Sequence, residues 1–129
     1  MADRDGGATL LENGSLSCPR MECERFQLHG VEWEVLRGGS GPPVLLLHGP
    51  MTYCTETPFL GLLAREAEVV APSHPGFGGS ERPDDVDTLY DLVHCYQDLL
   101  DTLPSEKVTL VGCSFGGWLA AEVAVNCAH

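Results

Sequence analysis

Basic residues are scarce in this 129-residue chain: seven Lys and Arg stand against nineteen Asp and Glu, and Lys107 is the single lysine. The formal charge of −12 repels phosphate backbones and anionic lipid heads, so neither nucleic acid nor a membrane surface is expected as a partner. Long apolar runs are missing too. The longest aliphatic stretch, residues 44–47, falls far short of the ~20 residues a spanning helix needs. The first residues have neither a basic region nor an apolar core, so no signal peptide is expected and the location reads as cytoplasmic. Six cysteines (18, 23, 54, 95, 113 and 127) fit that compartment as reduced thiols. Cys95 in a helical pattern and Cys113 at a strand end are places where buried free thiols are common. Cys18 and Cys23, with His29 beyond, match no zinc-finger spacing, and no metal is expected. The glycine-rich stretches at 38–41 and 76–79 match neither a dinucleotide fingerprint nor a phosphate-binding loop, which disfavours a nucleotide-binding domain.

What is present is a globular balance of 43% hydrophobic and 20% charged residues. Residues 1–20 stand apart, rich in Gly, Ser, Asp and Asn, and are expected to form a disordered tail; a second possibility is that the chain properly starts at Met21. Regular patterning follows. Phe26 and Leu28 alternate with polar neighbours, His29-Gly30 interrupts, and Val31, Trp33 and Val35 alternate again, which predicts an antiparallel hairpin. Residues 44–47 and 69–71 are continuous apolar runs, as expected of strands covered on both faces. A short helix is expected over 56–66. Residues 88–103 carry one apolar face (89, 92, 93, 96, 99, 100, 103), opened by a Thr88/Asp91 capping box and stopped by Pro104. A strand over 108–111 and a small-residue helix from Phe115 complete an α/β pattern with a mainly parallel sheet.

The chemistry is concentrated at residues 112–116, Gly-Cys-Ser-Phe-Gly, a G-x-S-x-G between a buried strand and a helix. A serine on so sharp a turn sits in a strained backbone conformation with its hydroxyl above the sheet. The positions two before and two after must then be small, which Gly112 and Gly116 satisfy. Two further segments agree in order and spacing: His48-Gly49 ends the first apolar strand, and Pro75-Gly-Phe-Gly-Gly-Ser80 follows the second. With these three motifs the chain resembles the α/β-hydrolase family from about Phe26 onward, in the branch of esterases, carbon–carbon bond hydrolases and cofactor-free perhydrolases.

The resemblance implies that Ser114 attacks a carbonyl of a small-molecule ester, thioester or activated ketone and forms an acyl-enzyme that water hydrolyses, with no cofactor. It implies that the Phe115 N–H donates to the developing oxyanion. The second donor normally follows His-Gly, where this chain has Pro50 and no N–H; either Met51 supplies it or it is absent. Relatives that open epoxides place aspartate at the nucleophile position, so Ser114 argues against that reaction. His48 is expected to orient its loop rather than act as base, and His74, beside Pro75, is expected to be exposed.

The family's acid and histidine follow the serine on later strands, and here only Glu122 and His129 follow it. Residues 21–129 are therefore expected to be the N-terminal half of an α/β-hydrolase domain, a fragment inactive by itself. Its strand at 108–112 would lie at a bare apolar edge and invite self-association. The alternative is a non-catalytic half-domain that uses this edge to bind a partner.

Overall fold

The computed structural model describes residues 18–126. Most of the expected tail, together with Cys127 and His129, lies outside the described residues.

Strands β1 (Glu22–Leu28) and β2 (Val31–Gly38) form the expected hairpin, with Leu28 opposite Val31. The two-residue connection has His29 at φ 48° and Gly30 at φ 81°. Positive φ at both positions matches the right-handed twist of the flanking strands, which is why a glycine stands here. Strands β3 (Pro43–Leu47), β4 (Glu68–Pro72) and β5 (Thr109–Gly112) complete a five-stranded sheet in the order β1-β2-β4-β3-β5. β2 meets β4 antiparallel, whereas β3 is parallel to both β4 and β5.

The apolar runs of β3 and β4 are continuous because both faces are covered. Leu45, Leu47 and Val70 join Trp33 and Val35 on one face, under helices α2 (Leu89–Asp101) and α3 (Phe115–Asn126). Val44, Leu46, Val69 and Ala71 turn to the other face, against Leu60 and Ala64 around helix α1 (Pro58–Leu63). α1 is shorter than expected. Cys54 and Thr57 close a turn in front of it, with the Cys54 N–H donating to Thr57 Oγ1 at 2.9 Å, and Pro58 opens the helix without an N–H. α2 starts on the expected capping box, Thr88 and Asp91 each accepting the other's backbone N–H.

The two sheet edges differ. β1 carries Arg25 and Glu24, ion-paired to Glu34 and Arg37 of β2. β5 ends the sheet on the opposite side with Val111 42% exposed. Of the two thiols expected to be buried, Cys95 is; Cys113, one residue past the end of β5, is exposed.

Candidate active site

Because β3, β4 and β5 are mutually parallel, the loops after them emerge at one end of the sheet. That end is where open α/β sheets bind ligands. His48, His74 and Ser114 each sit just beyond one of these strands.

Ser114 occupies the β5–α3 turn at φ 57°, one of two non-glycine residues with positive φ among the described residues. The side chain is exposed. The turn is tight enough to dictate its glycines. A Cβ on Gly112 would lie 2.3 Å from the Gly116 carbonyl oxygen, and one on Gly116 would lie 2.0 Å from that of Leu47. No side chain fits at either position. The Cys113 N–H donates to the Leu47 carbonyl at 3.0 Å, tying the turn to β3. In the first turn of α3, the Gly116 N–H bonds the Cys113 carbonyl, and those of Gly117 and Trp118 bond that of Ser114. The Phe115 N–H opens the helix, where donors have no intrahelical acceptor.

The loop after β3 abuts this turn: a Cβ on Gly49 would approach Ser114 Cβ to 3.2 Å. Beyond Gly49 come Pro50 and Met51, whose side chain is 80% exposed. Tyr53, half-buried further along, packs its ring edge-on to His48 and to Phe59. Burial raises its pKa, and the nearby Cys113 adds to that.

His74 corrects the sequence expectation: it is fully buried, not exposed. Its ring stacks on His48 with centroids 3.7 Å apart. The partners fix both tautomers, because a carbonyl can only accept and an N–H only donate. His48 donates from Nδ1 to the Gly49 carbonyl at 2.7 Å and accepts the His74 N–H on Nε2 at 2.9 Å. His74 donates from Nε2 to the His48 carbonyl at 2.7 Å, leaving Nδ1 to accept the Tyr96 hydroxyl from α2. Burial lowers both imidazole pKa values; that of His74 falls to about 4, with the neighbouring His48 contributing. Tyr96, buried, is raised. The cluster is neutral, and all four ring nitrogens are engaged, so neither histidine offers a lone pair to Ser114.

The loop after β4 is anchored to the hairpin by Glu34. Its carboxylate accepts from Ser73 Oγ at 3.2 Å and the Gly79 N–H at 3.0 Å, while its own N–H donates to Ser80 Oγ at 2.8 Å. Phe77, on that loop, lies edge-on to both histidines. Sequence patterning gave Glu34 only a place in an alternating strand. Among the described residues no group of three or more His, Cys, Asp or Glu is placed to hold a metal ion, and no helix is long and apolar enough to cross a membrane. A groove of about 670 Å³, lined by Leu103, Val108, Leu110, Ala120 and Ala124, runs between α2, β5 and α3. None of the three loops that carry His48, His74 and Ser114 lines it.

A strand–turn–helix serine beside a His-Gly loop and a Gly/Pro-rich loop, all at the carboxyl ends of parallel strands, defines a hydrolase architecture. The profile of the alpha/beta hydrolase family matches residues 44–128, and the chain belongs to that family. It is 36% identical over 102 residues to the 2-hydroxymuconate semialdehyde hydrolase of Pseudomonas sp. (strain CF600), covering 75% of this chain and 36% of that protein. It is 32% identical over 105 residues to the 2-hydroxy-6-oxo-2,4-heptadienoate hydrolase of Pseudomonas putida, covering 78% of this chain and 38% of that one. Among solved structures, an epoxide hydrolase from Vigna radiata superposes with a TM-score of 0.74 at 28% identity, over 83% of this chain and 36% of that one. The chain thus spans little more than a third of the length of these relatives.

Proposed function

We propose that this chain carries the nucleophile and oxyanion elements of a serine hydrolase that acts on a small-molecule ester, thioester or activated ketone through an acyl-enzyme. The observation that carries the reading is Ser114 itself: φ 57°, exposed, and enforced by glycines that admit no Cβ. Strained backbone that the surrounding packing enforces is where reactive groups concentrate. The Phe115 N–H is the first oxyanion donor, and the loop through Met51, pressed against the serine by Gly49, supplies the second. Both Pseudomonas relatives have names that carry a carbonyl, a semialdehyde and a 6-oxo acid, which favours the ketone end of the range. With no free imidazole at Ser114 among the described residues, the base comes from outside them, and residues 18–126 alone are inactive in turnover. Residues 21–129 act as one half-domain in the cytoplasm, with reduced thiols.

The test is a fluorophosphonate probe. In a protein that also holds the missing base, covalent modification at Ser114, lost in Ser114→Ala, is expected; a folded sample of that protein that takes up no label overturns the reading.

One observation favours a second reading, a half-domain that binds through its bare edge. β5 is the last strand on its side of the sheet and leaves Val111 exposed. Unpaired apolar strand edges recruit other strands. Concentration-dependent self-association by sedimentation is then expected, and a monodisperse, cooperatively melting monomer counts against it.

A further inference from the structure

Tyr96 and His74 do not reach Ser114, yet both are fully buried and polar; Tyr96 bonds His74, and His74 in turn bonds His48 twice. We propose that they are positioning residues: Tyr96, from α2, acts through His74 to set the loop that runs from His48 to Met51 against the serine turn. The inference rests on Ser114 as the nucleophile.

The geometry is a clamp with one fixed end. α2 is capped at Thr88 and packed through Val93 and Leu99 into the core beneath the sheet, so Tyr96 has a rigid base. Its ring lies edge-on to buried Trp33, with centroids 5.2 Å apart, and its hydroxyl reaches His74 Nδ1. Residue 74 then holds residue 48 twice. The His74 main-chain N–H binds the His48 ring, and the His74 ring N–H binds the His48 carbonyl. With ring and backbone both held, His48 Nδ1–H fixes the Gly49 carbonyl. A Cβ on Gly49 would come within 3.2 Å of Ser114 Cβ, so this loop abuts the serine turn. Freeing the His74 ring therefore loosens the loop that places the second oxyanion donor. A misplacement of about 1 Å from a distant change can cost about a hundredfold in rate.

Nitrogen NMR of the imidazole rings in the full chain tests the clamp without any chemistry at Ser114. At pH 7, His48 is expected to carry its proton on Nδ1 and His74 on Nε2; the opposite tautomer at either ring overturns the proposal. Tyr96→Phe removes one oxygen and keeps the ring against Trp33. In it the ring signals of both histidines are expected to shift, and the fluorophosphonate labelling rate of Ser114 to fall about tenfold. Unmoved His48 signals with an unchanged rate overturn the proposal. Should Tyr96→Phe not fold, the pair His74→Gln and His74→Leu decides. The amide of Gln keeps a donor for the His48 carbonyl and is expected to retain the faster labelling; equal rates in the two overturn the clamp. If wild-type Ser114 takes no label in the protein that also holds the base, the nucleophile reading fails, and the ring signals alone decide between clamp and no clamp.

Discussion

The turns after β3 and β4 and the turn after β5 lie at the same end of one sheet and are built on opposite terms. His48 and His74 are buried, neutral and bonded at every ring nitrogen. Ser114 is exposed and strained in its backbone. The contrast shows how a small site divides its labour. Stability resides in the satisfied polar cluster, since buried polar groups are costly only when unpaired. On the proposed function, reactivity resides in the residue the fold holds away from its relaxed conformation. The two meet where the serine turn presses on β3: Gly116 against the Leu47 and His48 carbonyls, Gly49 against Ser114.

Breaking that junction has the largest expected effect. Gly116→Ala puts a Cβ among backbone oxygens that cannot move aside, and a loss of about 3 kcal/mol is expected from the denaturation midpoint at constant m-value. Acid strikes the histidine side next. The folded pKa of His74, about 4, lies below its unfolded value of 6.5, so the unfolded chain binds more protons between those limits. Stability is full above pH 6.5 and is lost as pH falls toward 4, by about 2 kcal/mol between pH 7 and pH 5. His48 titrates in the same sense. Urea melts at the two pH values check this, and His74→Gln is expected to flatten the slope. Thr88→Ala removes the α2 cap and is expected to cost about 1 kcal/mol. Ser114→Gly relaxes the left-handed residue and is expected to raise stability by about 0.5 kcal/mol while abolishing labelling, a sign opposite to every change on the histidine side.

Where local rules govern, the sequence was legible. Two-sided apolar runs marked β3 and β4, the Thr88/Asp91 spacing marked the start of α2, and the glycines around Ser114 marked a turn with no room. His74 was not legible in the same way. A histidine beside proline in a Gly/Pro-rich segment looks solvated, and its burial comes from residues distant in sequence: Tyr96 on α2, His48 just after β3. A signal did exist. Tyr96 falls on the apolar face of α2, and a buried tyrosine hydroxyl requires a partner that no neighbour on that face provides. Glu34 escaped for a related reason, since an alternating strand assigns its carboxylate to solvent and only the fold brings Ser73 and Gly79 over it.

Trp33 is wholly enclosed, edge-on to Tyr96, whereas Trp118 is 58% exposed one helical turn beyond Ser114 and beside Phe115. The molecule therefore carries two indole fluorophores of different colour. The enclosed indole emits to the blue and is shielded from a soluble quencher; the other emits to the red and is open to it. Acrylamide sees only the second, so a change in its quenching registers an event at the serine turn while the blue component reports whether the core is intact.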